Sequence, residues 1–285
     1  MELKMKSKLI TLAGMTAALA FASVGQATVL FSNNAGSPKV QSFDTTTGAL
    51  VDNLLGSGGN GRGVVTVGNI LYTTDANSGF VAKFDRTTNA SLGGFSIAGA
   101  NGISTITYDG DNFWTSDYTG SNKAYYVSPT GVLLKTITLS KSQGFYDGLE
   151  YFNGKLIANR FDGGLRGGNQ YSVYDTNGNL LTENFIDTTG HGNGTGIAFN
   201  GTDFYISDIF NGRATIWDGA TGAFKGALTL VGSQNVIEDL SFDFQQRDDT
   251  CRVNCPGDGN VPEPFTLALM GLGLVGMGFT RRQKI

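Results

Sequence analysis

Between residues 28 and 246 the chain alternates short apolar runs with polar clusters in which Gly, Asn and Asp dominate. The runs are a few residues long and rich in branched and aromatic side chains, which predicts strands rather than helices. Two kinds of turn punctuate them. The first joins a strand through Asn or Asp with Gly to a strand opening on aromatic or branched residues. It occurs at Tyr108-Asp109-Gly110, Phe152-Asn153-Gly154 and Phe199-Asn200-Gly201, with a degenerate copy at Val67-Gly68-Asn69. Asn-Gly and Asp-Gly accept the positive φ of tight hairpins, so four copies predict four hairpins.

The second turn recurs five times, 41 to 47 residues apart. It runs from Asp44 to Gly48, Asp85 to Ser91, Ser128 to Gly131, Asp175 to Gly178 and Asp218 to Gly222. Asp or Ser at a strand end bonds the turn backbone, so these carboxylates read as turn formers rather than catalysts. A period in the forties with four short strands per unit is the pattern of an all-β propeller. The first unit lacks an innermost strand, and an orphan run, Ile237-Glu238-Asp239-Leu240-Ser241-Phe242, stands at the far end. Pairing them closes a ring of five blades of about 44 residues each over residues 28–246, with six blades as the alternative.

The two ends are organised differently. Lys4, Lys6 and Lys8 precede an apolar stretch, and Gly25-Gln26-Ala27 supplies the small residues of a cleavage site. This predicts a signal peptide over residues 1–27, helical in its apolar part and cut between Ala27 and Thr28. At the other end Pro262-Glu263-Pro264 leads into residues 265–280, which carry no charge, and then Arg281, Arg282 and Lys284. Sixteen helical residues reach about 24 Å, a short membrane span whose arginines snorkel and stay cytoplasmic. Residues 247–260 are a polar linker holding Cys251 and Cys255, either a local disulfide made possible by export or two free thiols.

The tail over residues 261–285 resembles the PEP-CTERM sorting signal of Gram-negative bacteria in all three parts: Pro262-Glu263-Pro264, the Gly/Leu-rich span, and the basic end. The resemblance implies export through the secretion translocon across the inner membrane, transient anchoring by the C-terminal helix, and processing by an exosortase. It also implies release to the cell surface or extracellular matrix, where such proteins accompany exopolysaccharide and biofilm systems. More loosely, stretches such as Asp147-Gly148-Leu149-Glu150-Tyr151 and Gly196-Ile197-Ala198-Phe199 resemble repeats of NHL-type and gluconolactonase-like propellers. They carry no motif specific enough to transfer a catalytic residue.

Composition narrows the chemistry. Charged residues are 15% of the chain and glycine is 42 of 285. Between Thr28 and Val261, 22 Asp/Glu outnumber 14 Lys/Arg, which leaves no basic footprint for nucleic acid. The single histidine, His191, would have to serve any triad, and no nucleophile elbow or phosphate loop is present. Loops entering the innermost strands surround one mouth of a propeller channel, which makes Arg62, Asn101, Asp147, His191, Asn193, Glu238 and Asp239 the candidate ligand site. Carboxylates converging there would suit Ca²⁺ and a lactonase-type hydrolase. The preferred expectation is a non-catalytic binding or structural module without a cofactor, with a polysaccharide or surface protein as ligand.

Overall fold

The turns set the strand boundaries. In the computed structural model, which describes residues 29–37, 39–118, 121–140, 147–160, 170–234 and 236–244, Asp44 Oδ1 accepts bonds from Thr46 N, Thr47 N and Thr47 Oγ1 at 3.0, 2.7 and 2.8 Å. Asp85 and Asp218 repeat this arrangement with Thr88 and Thr221, and Asp175 does so with Asn177 and Asn179. Such bonds favour the ionised carboxyl and hold all four aspartates below the ordinary carboxylate range. The hairpin motif forms as expected: Asn153 and Gly154, at φ 47° and 78°, link Phe152 to its partner Lys155.

Twenty strands result, and no helix occurs among the described residues. The first unit contains β1 (Val29–Asn34), β2 (Lys39–Asp44) and β3 (Leu50–Leu55). The second runs through β4 (Gly61–Val67), β5 (Ile70–Asp75), β6 (Ser78–Asp85) and β7 (Ser91–Ser96). The third comprises β8 (Ile103–Tyr108), β9 (Phe113–Asp117), β10 (Lys123–Val127) and β11 (Leu133–Thr138). The fourth comprises β12 (Leu149–Phe152), β13 (Lys155–Arg160), β14 (Gln170–Asp175) and β15 (Leu180–Asp187). The fifth has β16 (Gly194–Phe199), β17 (Asp203–Asp208), β18 (Arg213–Asp218) and β19 (Phe224–Thr229), and β20 (Ile237–Phe244) ends the described chain.

Within each unit the strands pair antiparallel in sequence order. The orphan strand β20 completes the first unit by pairing with β1, Leu30 opposite Phe242 and Ser32 opposite Leu240. At its end it turns parallel to β4, Asp243 opposite Thr66, and so ties the first unit to the second in one eight-stranded sheet. The described strands thus make five four-stranded units, two of them joined in the eight-stranded sheet.

Apolar side chains fill the spaces between units, one cluster to each neighbouring pair. Phe31, Val40 and Leu54 meet Val64 and Leu71 between units one and two. Val65, Tyr72 and Phe95 meet Ile106 and Phe113 between two and three. Trp114 and Ile137 meet Leu149 and Tyr174 between three and four, and Phe152 and Tyr171 meet Ile197 and Phe204 between four and five. Ala198, Tyr205 and Leu228 meet Leu30, Leu240 and Phe242 between five and one, which returns the packing to its start. Strands near the centre are therefore buried on both faces, whereas the outer strands β3, β7 and β11 are mostly exposed.

The second turn type locks the same cycle from outside. Gly48, at φ 70°, lies so close to the end of β19 that a Cβ would come within 1.9 Å of the Thr229 carbonyl oxygen, and Val231 N donates to the Gly48 carbonyl at 2.8 Å. Gly222 abuts Phe185, Gly178 abuts Thr138 and Gly131 abuts Phe95 in the corresponding places. In the second unit Asn89 takes the position, and its Oδ1 accepts Leu55 N at 3.2 Å. Each turn thereby grips the outer strand of the preceding unit. The helices expected over residues 1–27 and 265–280, the linker with Cys251 and Cys255, and the sorting signal lie outside the described residues.

Candidate functional site

The N-terminal ends of the inner strands bring three of the expected mouth residues together. Arg62 on β4 donates through Nη1 to Glu238 Oε2 on β20 and lies 3.8 Å from Asp147 Oδ1, just ahead of β12. Its Nη2 donates to Tyr118 Oη at 3.0 Å, and its guanidinium carbon lies 4.6 Å from the centre of the Tyr118 ring. Ser104 Oγ donates to Asp147 at 2.7 Å, while Asn159 Oδ1 accepts from the Asp147 and Gly148 amides at 3.0 and 3.1 Å. The Arg62, Asp147 and Glu238 side chains are only 11, 7 and 4% exposed.

Desolvation governs these carboxyls. Burial pushes Glu238 up to about 7 despite the opposing pull of Arg62, with Asp147 adding to the rise. Burial also raises Asp147, against the lowering by Arg62 and Ser104. A guanidinium already stands between the two acids and pairs with one oxygen of each, so a Ca²⁺ ion, which takes six to eight oxygens, would have to displace it. Among the described residues no group of three or more His, Cys, Asp and Glu is disposed to hold a metal ion. The converging carboxylates are a closed ion cluster at this end of the ring.

Asp239 is buried and touches its neighbours on three other inner strands. Its Oδ2 accepts Val64 N of β4 at 3.1 Å and Thr105 Oγ1 of β8 at 2.9 Å. A Cβ on Gly196 of β16 would come within 2.2 Å of the Asp239 Cα, so only glycine permits that approach. From β12 the buried Glu150 adds its field and raises Asp239 further, though burial is the larger cause and places this carboxyl well above the ordinary range. Glu150 itself accepts Phe199 N at 3.4 Å, and burial pushes it up to about 8. Asp239 Oδ1 is buried with no partner among the described residues.

The other expected residues stand apart. Asn101 is exposed. The His191 ring stacks on Phe224 of the outermost strand β19, with centroids 3.9 Å apart, and meets Trp217 edge-on at 5.3 Å. Asn193 donates its amide to Asp208 at 3.1 Å, where it fixes a loop of the fifth unit. The sequence reading missed the opposite mouth. There the C-terminal ends of β8, β12, β16 and β20 leave a recess of about 380 Å³ lined by Tyr108, Tyr151, Phe199 and Phe244 with Asn153 and Asn200. Its signal was already present in the hairpin motif, because each of the three full copies places an aromatic directly before Asn or Asp.

Comparison with known proteins bears on the tail and on the fold. The PEP-CTERM protein-sorting motif matches residues 260–283. No curated protein matches the chain. Among solved structures, a chain of a nidogen–laminin complex aligns with a TM-score of 0.54 at 10% identity, over 76% of this chain and 98% of that one. A glutaminyl cyclase from Myxococcus xanthus aligns at 0.47 and 15% identity, over 59% of this chain and 69% of its own. The designed protein Ika8 aligns at 0.40 and 16% identity over 74% of this chain, which spans 61% of the designed one. The first likeness concerns the fold alone. With its three-part tail matched, the chain carries a PEP-CTERM sorting motif and is an exported, exosortase-sorted protein with an all-β body.

Proposed function

We propose that the five units form a single five-bladed propeller over residues 28–246, displayed at the cell surface or in the extracellular matrix of a Gram-negative bacterium as a non-catalytic binding module. The observation that carries this reading is the closed cluster at the expected catalytic mouth. Arg62 lies between Asp147 and Glu238, so the carboxylates a lactonase would use to hold its metal already have a partner. The apolar clusters that link each unit to the next, and the last unit back to the first, support the propeller.

The sorting motif supports export of the body, and in this reading residues 247–260 are a tether and residues 265–280 the span held until exosortase acts. Exopolysaccharide or a surface protein is the partner class that fits this address. The test is an intact mass of the protein recovered from its host. A species ending near Pro262-Glu263-Pro264 supports release to the matrix, and a species running from Thr28 to Ile285 overturns it. Turnover of lactones by the purified chain, lost on Asp147→Ala, would overturn the non-catalytic assignment.

A further inference from the structure

We propose that the recess at the hairpin mouth binds about one or two sugar rings of a neutral glycan, a site that gives a ligand class to the binding module above and rests on that reading. The repeat itself builds the site. Three copies of the hairpin motif put Tyr108-Asp109, Phe152-Asn153 and Phe199-Asn200 around one opening, and the closing strand adds Phe242-Asp243-Phe244. Aromatic walls and polar tips therefore alternate around the rim, supplied by four different units.

Each part is held in place. Tyr108 Oη donates to the Gly110 carbonyl at 2.7 Å, and its ring meets Phe244 edge-on at 6.1 Å. Phe199 packs on Phe152 at 5.7 Å and on Phe204 at 4.7 Å while staying half-buried, as does Tyr151. Asn200 uses Oδ1 to accept Thr202 N and Asp203 N at 2.9 and 2.7 Å, which leaves its amino group as a donor. Asp243 uses Oδ1 for Arg86 and Thr66 at 2.7 and 3.1 Å, which leaves Oδ2 as an acceptor. At about 380 Å³ the recess is at the small end of ligand pockets, which run from about 300 to 1,000 Å³.

A pyranose matches this mixture. Its C–H face lies against aromatic rings, and its hydroxyls both donate and accept, so Asn and Asp are served together. An alkyl ligand would desolvate the Asn and Asp groups without bonding them. An organic cation would use rings and carboxylates but not the amide donors, and the Arg86 guanidinium on Asp243 repels it.

The test uses the full chain extracted in a detergent without a sugar headgroup, so that the detergent does not compete. Glucose, galactose, N-acetylglucosamine and short neutral oligosaccharides made from them are titrated by calorimetry and by saturation-transfer NMR, with product formation followed in the same samples. Binding is expected for at least one of them and falls about tenfold in Tyr151→Ala, the loss of one stacked ring. Asn153→Gly keeps the left-handed turn, so the fold survives while an amide is lost, and it weakens the same ligand. His191→Ala, in the loop before β16 and stacked on the outer strand β19, leaves binding unchanged. The site is overturned if none of these sugars binds, if both rim variants bind as tightly as the parent, or if tetramethylammonium binds and the sugars do not. Conversion of a bound sugar to product would instead overturn the non-catalytic reading and leave the site standing.

Discussion

Thr105 Oγ1 on β8 donates a hydrogen bond to Asp239 Oδ2 on β20 at 2.9 Å, across 134 residues of sequence. With Val64 N on the same oxygen, one carboxyl joins three units that share no hairpin. Burial without a cation beside it favours the neutral acid, whose carbonyl oxygen still accepts both bonds. Asp239→Asn is therefore expected to keep stability within about 1 kcal/mol, whereas Asp239→Ala takes the acceptor from Val64 N, leaves Thr105 only its longer bond to the Leu149 carbonyl and opens a void, at a cost of about 2–4 kcal/mol. Urea unfolding of both variants decides it, and equal losses would mean that the charge itself is needed.

Glu150 makes stability depend on pH. Its carboxyl titrates near 4.5 when free and at about 8 in the folded chain, so the folded state holds a proton that the unfolded state releases. The contribution is complete below pH 4.5 and is lost as pH rises through about 8, with a slope of about 1.4 kcal/mol per pH unit for one proton. Glu150→Gln should flatten the unfolding midpoint over that window. The turn aspartates act in the opposite sense and in a separate window. Asp44, Asp85, Asp175 and Asp218 are held low, so their contributions are lost only as pH falls through the acid range.

Arg62 should be more costly to remove at neutral pH than in acid. Arg62→Met leaves Asp147 and Glu238 buried without their cation, a loss of about 3 kcal/mol or more at pH 7.5. Glu238 already titrates at about 7 with the guanidinium present, so near pH 5 it takes up a proton and the loss should shrink. A penalty that is equal at the two pH values would show that Arg62 acts through packing against Tyr118 instead.

Two glycines separate backbone strain from ring closure. Gly93 has φ 77° and open space where a Cβ would point, so Gly93→Ala costs only the left-handed conformation, about 1–2 kcal/mol. Gly48 has a similar φ of 70° but faces the Thr229 carbonyl at 1.9 Å from a built Cβ. Gly48→Ala should cost about 1–3 kcal/mol beyond that and loosen the contact of the first unit with the fifth. Hydrogen exchange at Val231, whose amide bonds Gly48, would report that opening directly.

The turns were legible because their chemistry is local. Asp44 reaches only Thr46 and Thr47, and Asn153-Gly154 needs nothing beyond its own φ angles, so composition and spacing suffice to place them. The pairing of β20 with the first unit was legible for a different reason: a run of strand character without a hairpin partner at one end matched a missing strand at the other. The candidate mouth was only partly so. Arg62, Asp147 and Glu238 do meet, but a loop histidine and an exposed asparagine carry no sequence mark of direction. His191 turns outward because Phe224 and Trp217 offer it a stacking surface there.

Sequence alone determined the routing, the all-β class and the repeat, because a sorting tail, an alternating pattern and a turn are properties of neighbouring residues. Only the tertiary structure decided which chemistry is available. It set a guanidinium between two acids that are 91 residues apart, placed Asp239 where Thr105 and Val64 converge on it, and gathered three hairpin aromatics around one recess. The physical reason is that desolvation, ion pairing and cavity shape depend on contacts between units, and closing the ring is what creates those contacts.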